Sequence, residues 1–355
     1  MAPSKPTILQ IVPQLDTGGA ELTTLEITAA LARAGAIALI VTEGGRMAQE
    51  VARLGGELIE MRAASKNPLQ MLANARALHR LARDRDVDLI HARSRAPAWS
   101  ALMACRKAGI PFVTTYHGAY GGSGRVKTLY NSVMARGDRV IANSQFTARL
   151  IRERHHTPPA VLRVIHRGVD LERFAPLPAA GADGARLASL RQRIGILPGA
   201  RVVLQAARLA GWKGQRVTIA AAARLKAEHA LDGVQLVLAG DAQGRDGYEG
   251  ELRRAIREGE LEGVVLLPGH VADMPAAYGI AQVAVVASTE PEAFGRTATE
   301  AQAMGCPVIA TNIGAPPETV LAPPTASEEE RTGWLVPPAD AAALAKAIGE
   351  ALDLN

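Results

Sequence analysis

The chain has 355 residues, of which 48% are hydrophobic and 3% aromatic, and its formal net charge is +5. This length favours two domains, and the scarcity of aromatic residues leaves Ala, Val, Leu and Ile to form the cores. Two cysteines far apart in sequence, no signal-peptide pattern and no apolar run long enough to span a bilayer argue against a disulfide framework and a membrane-spanning segment, so we expect a cytoplasmic protein.

Short apolar runs alternate with amphipathic stretches along the first half of the chain. Strands separated by helices predict a parallel sheet covered on both faces, which is the doubly wound α/β arrangement. The predicted strands are 7–12, 36–42, 57–61, 87–92, 111–116, 139–142 and 162–165, and clear helical patterns cover 21–33, 68–85 and 145–154.

The second half repeats this plan after a segment rich in Pro, Gly and Ala. We therefore predict two Rossmann-like domains, 1–175 and 198–355, joined by a linker at 176–197. In such sheets ligands bind at the carboxyl ends of the strands. The predicted strands of the second half are 202–206, 235–239, 264–267, 283–287, 308–311 and 334–336.

Positive charge is concentrated in the first half of the chain. Residues 1–175 carry 24 Lys and Arg against 14 Asp and Glu, and most of this excess lies within 61–167. A basic domain can face an anionic surface, such as a membrane leaflet or an acidic acceptor. Solvated faces of Arg-rich helices explain the same counts, so charge alone does not identify a partner.

A glycine pair, Gly18 and Gly19, follows the first predicted strand and precedes a helix. Glycines let the backbone come close to a ligand, and a helix N-terminus favours negative charge, so this turn can approach a phosphate. The segment matches neither the dinucleotide-binding Gly-x-Gly-x-x-Gly pattern nor a Walker loop. A tight turn without a ligand explains the pair equally well.

His117 ends the predicted strand 111–116 and begins a glycine-rich loop that reaches Arg125. An imidazole at a strand end can face a ligand, and a flexible loop can close over an acceptor. The alternative is a structural histidine bonded to a backbone carbonyl, which is the interpretation we prefer for His91. No histidine has metal-ligand spacing with a carboxylate, and the Asp-x-Asp runs at 84–88 are interpreted as solvated capping charges, so no metal site is predicted.

Arg208 and Lys213 lie in the loop that follows the predicted strand 202–206. A guanidinium makes forked contacts and an ammonium acts as a point charge, so together they can flank a diphosphate. Two solvated surface cations are the commoner meaning of such a pair. Gly240 and Val271 follow two further strands and can border a base and a pyrophosphate, although each is unspecific by itself.

Glu292 and Glu300 are the most informative pair in the sequence. They flank the start of a predicted helix, 294–304, which follows the strand 283–287 through a short turn. A helix N-terminus with a Gly295 amide is a ready anion site, and carboxylates accept hydrogen bonds from hydroxyls. The pattern predicts a ligand that carries both phosphates and hydroxyls, such as a nucleotide-sugar.

In combination these motifs resemble the GT-B glycosyltransferases of family 4. The resemblance covers nearly the whole chain and is most specific from Glu290 to Ala310, which contains the Glu-x7-Glu pair. It implies two domains with an interdomain cleft, the first binding an acceptor and the second a nucleotide-sugar donor. It also implies transfer with retention by front-face displacement, in which the departing phosphate draws the acceptor proton.

The resemblance implies a role for each candidate residue. Arg208 and Lys213 would hold the donor diphosphate. Glu292 would bond hydroxyls of the donor sugar, and Glu300 would accept from the ribose hydroxyls. His117 would touch the sugar near the reacting centre, so His117 and Glu292 are the predicted catalytic residues. The other predicted donor-binding residues are Gly18, Gly19, Gly240, Val271, Phe294 and Gly295.

The expected substrates follow from the same resemblance. We expect a UDP- or GDP-linked sugar as donor, no metal or other cofactor, and a glycan or lipid-linked acceptor used in cell-surface polysaccharide or lipopolysaccharide synthesis. Peripheral association with the inner face of the cytoplasmic membrane is also expected, and a nucleic-acid partner is not. A sugar-nucleotide 2-epimerase and a non-catalytic nucleotide-sugar-binding subunit remain alternatives.

Two segments depart from the family pattern. The turn 313–318 contains two prolines where a second glycine is often found, which predicts a stiffer turn. The sequence ends at Asn355 within a helical pattern that begins near Ala339. Because members of the family usually continue, we expect domain closure and activity to be affected.

Overall fold

The computed structural model describes residues 5–16, 18–118, 124–242, 244 and 246–354. The chain forms two compact units, Met1–Arg167 and Gly168–Asn355. Each unit is built around one parallel sheet with helices between the strands. The predicted fold class, two doubly wound α/β units, is confirmed.

The first unit contains a seven-stranded sheet. Its strands are β1 (Thr7–Ile11), β2 (Ile37–Thr42), β3 (Gly56–Glu60), β4 (Leu89–Ala92), β5 (Phe112–Tyr116), β6 (Arg139–Ala142) and β7 (Leu162–Val164). Its helices are α1 (Gly19–Arg33), α2 (Glu50–Arg53), α3 (Pro68–Asp84), α4 (Arg95–Ala108), α5 (Arg125–Asn131) and α6 (Gln145–His155). The strand order is β3-β2-β1-β4-β5-β6-β7, so the winding direction reverses between β1 and β4.

Both faces of this sheet are buried, and β2 shows how. Leu39 and Val41 belong to the apolar cluster on one face, whereas Ala38 and Ile40 belong to the cluster on the other face. Successive side chains of a strand point to opposite faces, so a continuous apolar run is buried only where helices cover both. The long apolar strands of the sequence therefore account for the layered arrangement.

The second unit contains a six-stranded parallel sheet. Its strands are β8 (Arg201–Ala206), β9 (Val234–Ala239), β10 (Val265–Leu266), β11 (Val283–Val286), β12 (Val308–Thr311) and β13 (Gly333–Val336). Its helices are α7 (Gly181–Arg193), α8 (Gln215–Ala227), α9 (Asp246–Glu258), α10 (Met274–Gly279), α11 (Arg296–Ala303) and α12 (Ala341–Leu352). The strand order is β10-β9-β8-β11-β12-β13, so the central strands are β8 and β11.

The second sheet is also covered on both faces. Val203 of β8 lies in one apolar cluster, which includes residues of α8 and α12, whereas Val202 and Leu204 lie in the cluster on the other face. At the end of α12 the guanidinium of Arg201 donates to the carbonyl oxygen of Leu352 at 3.2 Å. Among the described residues, no helix combines the length and the hydropathy needed to cross a membrane.

The position of the unit boundary differs from the expected one. The first unit ends at Arg167, and the predicted linker 176–197 contains the helix α7. Leu190 of α7 is 2% exposed and belongs to the same apolar cluster as Tyr278, so this segment is part of the second unit. Leu187, Leu190 and Ile194 have helical spacing. The Pro- and Gly-rich residues before them nevertheless favoured the prediction of a linker.

Candidate functional site

The carboxyl edge of the second sheet collects most of the predicted donor-binding residues. Arg208 follows β8, Gly240 follows β9, Val271 follows β10 and Glu292 follows β11. Because all strands of this sheet are parallel, these four positions lie at one edge. This is the edge at which doubly wound sheets bind ligands.

Lys213 and Glu292 form a largely buried ion pair at this edge. Lys213 Nζ lies 2.5 Å from Glu292 Oε1, and the two side chains are 19% and 11% exposed. The hydroxyl of Ser288 donates to the same carboxylate oxygen at 2.6 Å. Two donors on one oxygen, one of them charged, fix the carboxylate firmly. Glu292 Oε2 accepts no hydrogen bond from the described residues, which leaves an acceptor for a ligand hydroxyl.

The loop that carries Lys213 is held by two buried glutamines. Gln205 donates to the carbonyl oxygen of Lys213 at 2.7 Å, and Gln215 donates to that of Arg208 at 3.0 Å. Both amides are almost fully buried. A buried amide that bonds a loop carbonyl restricts the loop to one conformation, so both cations are presented from a rigid support.

Gly214 fixes the distance between this loop and β11. Its φ is 75°, and a Cβ at this position would overlap the carbonyl oxygen of Ala287. We expect Gly214→Ala to lower the free energy of unfolding by at least about 3 kcal/mol, since backbone strain adds to the overlap. Gly233→Ala is the matched control, because Gly233 has φ +68° with nothing within 4 Å of the added Cβ, and its cost is about 1 kcal/mol. Equal losses in urea denaturation would contradict the packing argument.

The turn after β12 supports Glu292 from the opposite side. Glu292 and Gly314 form an isolated parallel bridge, and the amide of Ala315 donates to the carbonyl oxygen of Glu292 at 2.9 Å. A Cβ on Gly314 would lie 2.5 Å from that oxygen, and its φ is +82°. The proline-containing turn 313–318 therefore keeps a glycine where the backbones approach most closely.

Gly240 and Val271 have structural contacts of their own. The Gly240 amide donates to the carbonyl oxygen of Gly269 at 2.8 Å, and a Cβ at Gly240 would overlap the carbonyl oxygen of Ala207. Val271 is 8% exposed and belongs to an apolar cluster. The close backbone approach at Gly240 is thus explained by protein contacts, and the role of both residues at a ligand stays a prediction.

Glu300 lies on α11, where its carboxylate contacts the side chains of Arg296 and Tyr278. Arg296 Nε donates to Glu300 Oε1 at 3.2 Å, and the Tyr278 hydroxyl donates to Oε2 at 3.5 Å. Burial, assisted by the charge of Glu300, raises the pKa of Tyr278 well above its ordinary value, so its hydroxyl stays protonated. α11 begins after Gly295, which has φ 83° and ψ 56°, and the buried Phe294 lies before it rather than within it as predicted.

The backbone conformation of the glycine pair in the first unit is less unusual than predicted. Gly18 has φ 166°, an extended conformation open to any residue, and α1 begins at Gly19. The Glu21 carboxylate occupies the space that a Cβ of Gly18 would need. An acidic side chain in the first turn interacts favourably with the helix dipole, so the helix N-terminus is already partly neutralised. Their predicted role at the donor phosphates stays a prediction.

His117 lies at the carboxyl edge of the first sheet, directly after β5. Arg167 Nη2 donates to His117 Nδ1, and His117 Nε2 is buried and has no hydrogen-bond partner among the described residues. Burial lowers the pKa of His117 well below its ordinary value, assisted by Arg167, Arg93 and His91, so the ring is neutral. Residues 119–123 of the predicted acceptor loop lie outside the described residues.

His91 is a buried structural histidine, as preferred from the sequence, but its partner is a hydroxyl. His91 Nε2 lies 2.7 Å from Thr115 Oγ1, and burial lowers its pKa well below the ordinary value. The neighbouring Arg93 is 2% exposed and donates to Gln10 Oε1 through Nε at 2.8 Å. Burial, reinforced by Arg167, lowers the pKa of Arg93 to about 9. His91 and Arg93 are therefore two buried ionisable side chains within the first unit.

The strongly depressed pKa values of His91 and His117 predict a stability that depends on pH. Below about 6.5 the unfolded chain binds protons that folded His91 and His117 do not, so the free energy of unfolding is highest above this pH. It should fall with decreasing pH by up to about 1.4 kcal/mol per pH unit for each histidine. Urea denaturation between pH 7.5 and 5.5 measures this, and His91→Asn should reduce the slope. An unchanged slope in that variant would contradict the assignment to His91.

Several residues at these edges were not among the predicted site residues. Arg296 lies four residues before Glu300 and Ser288 four before Glu292, and the first of these spacings is the ordinary helical one. No sequence pattern predicted the hydrogen bonds of Gln205, Gln215 and Arg167, because the fold determines their partners. Within the part of the chain that the structure describes, no group of three or more His, Cys, Asp or Glu could hold a metal ion.

Two family models together match most of the chain. The model described as Glycosyltransferase Family 4 matches residues 17–173, and the model described as Glycosyl transferases group 1 matches residues 188–355. The D-inositol 3-phosphate glycosyltransferase of Salinispora tropica is 32% identical over 285 residues, which cover 75% of this chain. This chain spans little more than half of that relative, since the match covers 56% of its length.

Two crystal structures are similar over nearly the whole chain. A glycosyltransferase from Rickettsia africae ESF-5 is 34% identical with a TM-score of 0.86, covering 99% of this chain and 89% of that one. Anabaena HepE, solved in complex with UDP and glucose, is 25% identical with a TM-score of 0.82, covering 98% and 90%. The similarity thus extends through both units.

Proposed function

Because the chain belongs to the GT-B glycosyltransferases of the family 4 type, we propose that it transfers a hexose or N-acetylhexosamine from a nucleotide-sugar to a glycan or lipid-linked acceptor, with retention of configuration. The observation that carries this proposal is the Lys213–Glu292 pair at the carboxyl edge of the second sheet. A buried cation beside a firmly held carboxylate suits a ligand with a diphosphate next to a sugar.

The donor would be held at this edge by three kinds of contact. Arg208 and Lys213 would neutralise the diphosphate, and the available Oε2 of Glu292 would accept from a sugar hydroxyl. Glu300 would accept from the ribose hydroxyls, either beside Arg296 or by displacing it. We favour a UDP-linked donor over a GDP-linked one, since HepE has been solved with UDP and glucose.

The cations beside the leaving diphosphate, Arg208 and Lys213, would supply most of the rate enhancement. As the bond to the sugar breaks, negative charge grows on the phosphate, and preorganised cations in a partly desolvated site stabilise it. The leaving phosphate oxygen would take the proton of the acceptor hydroxyl, so the protein needs no separate base and no metal. His117 and Glu292 would orient the sugar. A loss of transfer in the presence of EDTA would contradict the metal-independent form of this mechanism.

The acceptor would be reached at a membrane surface. On α5, Val126 is 84% exposed and Leu129 58% exposed, and Arg125 and Lys127 lie beside them in sequence. Apolar side chains interleaved with cations suit the interface of an anionic leaflet. This supports a lipid-linked intermediate of polysaccharide or lipopolysaccharide synthesis at the cytoplasmic face. Absence of binding to anionic vesicles at low salt, or binding insensitive to salt, would contradict it.

A donor screen tests the proposed activity. We expect calorimetry to detect UDP binding, and UDP-sugars to raise the melting temperature of the second unit. NMR of the product made with a suitable acceptor should show the anomeric configuration of the donor. If calorimetry detects no heat of binding with either UDP or GDP, the nucleotide-sugar site is refuted. Formation of an epimer from UDP-N-acetylglucosamine without an acceptor would favour an epimerase instead.

A further inference from the structure

The contact between Arg167 and His117 fixes the position of a proton. A guanidinium has only donors and stays protonated, so a ring nitrogen that contacts it must present a lone pair. Arg167 Nη2 contacts Nδ1 of His117. Nδ1 is therefore the acceptor, and in a neutral imidazole the single proton must then lie on Nε2.

The protonated nitrogen is the one that lacks a partner. His117 Nε2 is buried and makes no hydrogen bond to any described residue. A buried N–H without an acceptor is destabilising, and such groups are generally satisfied by water or a ligand. His117 lies at the carboxyl edge of the first sheet, where a ligand is expected.

We propose that Arg167 is a positioning residue that holds His117 as the neutral, Nε2-protonated tautomer, so that His117 donates a hydrogen bond to an oxygen of the bound substrate. Lone pairs of a sugar hydroxyl or of a phosphate are the fitting acceptors. This inference rests on the proposed transfer reaction for the identity of the ligand, but not for the tautomer. Arg167 is the last residue of the first unit, far in sequence from His117, and no motif marks it.

The surroundings of His117 keep the ring neutral in the physiological range. The groups that act on its ring are Arg167, Arg93 and His91, all of them bases, and burial acts in the same direction. The carboxylate of Glu26 acts on Arg93 instead. A protonated His117 would place a second positive charge against Arg167 and lose the acceptor at Nδ1. The tautomer and the neutral state therefore support each other.

The tautomer is tested directly by NMR on the full chain with ¹⁵N-labelled histidine rings. Two-bond ¹H–¹⁵N correlation spectra distinguish the two tautomers and the cation, and loss of a signal set in His117→Gln assigns it among the eight histidines. We expect His117 to be Nε2-protonated and not to titrate between pH 7.5 and 5.5. In Arg167→Met the Nδ1-protonated tautomer should become populated, since the donor to Nδ1 is gone, and the pKa of His117 should rise, although burial, Arg93 and His91 still hold it below its ordinary value. A wild-type Nδ1–H tautomer would overturn the proposal.

Kinetics test the consequence for transfer. We expect Arg167→Met to lower kcat about tenfold, because part of the population carries the wrong tautomer, and to move the acidic loss of activity to higher pH than in the wild type. Arg167→Lys, which retains a charged donor, should restore much of the loss and the wild-type pH profile. Arg163→Met is the control, because Arg163 is exposed and donates to the Pro159 and Leu162 carbonyls rather than to His117. An Arg167→Met enzyme with unchanged tautomer and pH profile would refute positioning, and the NMR result stands even if no donor is turned over.

Discussion

Glu292→Gln is expected to reduce the rate of sugar transfer by at least about a hundredfold while leaving UDP binding intact. The amide oxygen of glutamine can still accept from Lys213 and Ser288, so the local geometry is kept and only the charge is lost. A carboxylate that bonds a sugar hydroxyl stabilises the positive charge that develops on the ring, and an amide does so far less. Lys213, no longer neutralised, should attract the diphosphate at least as strongly.

The two effects are separated by measuring turnover and UDP affinity on the same preparation. Glu251→Gln provides the control, since Glu251 is 54% exposed and forms a surface pair with Arg216. We expect that control to retain both properties, because exposed ion pairs contribute little. Equal loss of binding and turnover in Glu292→Gln would favour a site that only binds the nucleotide. Unchanged turnover would remove Glu292 from the mechanism.

The sequence was sufficient for the elements and for the family, and it singled out candidate site residues where one short segment carries them. All thirteen predicted strands are present, because continuous apolar runs bounded by turn residues have few other folded outcomes. Glu292 and Glu300 could be proposed together because one short segment carries both, with Arg296 between them on the same helix as Glu300, and their roles at a donor stay predictions. The resemblance to a glycosyltransferase family, which the family models and similar structures confirm, rests on this segment above all.

Local sequence patterns could not predict the contacts between segments that lie far apart in the chain. Lys213 and Glu292 are 79 residues apart and meet because β8 lies beside β11, a neighbour relation that the periodicity of either strand does not encode. The same holds for Arg167 and His117, which are 50 residues apart. The predicted linker 176–197 contains α7 for a related reason, since Leu190 is buried in an apolar cluster with residues such as Tyr278 that lie far away in sequence.

Lys213→Ala is expected to weaken UDP binding by roughly 30-fold, about 2 kcal/mol, and to abolish most of the transfer. The ammonium is held 2.5 Å from Glu292 Oε1 and packs 4.2 Å from the Trp212 ring centroid, so its position is fixed before the diphosphate arrives. A preorganised cation costs little entropy on binding and acts fully on the leaving phosphate. Arg216→Ala, which removes an exposed cation of α8, should leave both properties unchanged.

The double variant Lys213→Ala with Glu292→Gln decides how the two residues act together. Removing Lys213 alone leaves the Glu292 carboxylate, 11% exposed, without its cation, and this negative charge repels the diphosphate. Neutralising Glu292 in the same chain should therefore recover part of the lost UDP affinity, although transfer stays absent. The two changes would then be strongly non-additive for binding. Strict additivity in calorimetry would mean that the ion pair is dispensable for holding the nucleotide and that Lys213 acts on the phosphate independently of Glu292.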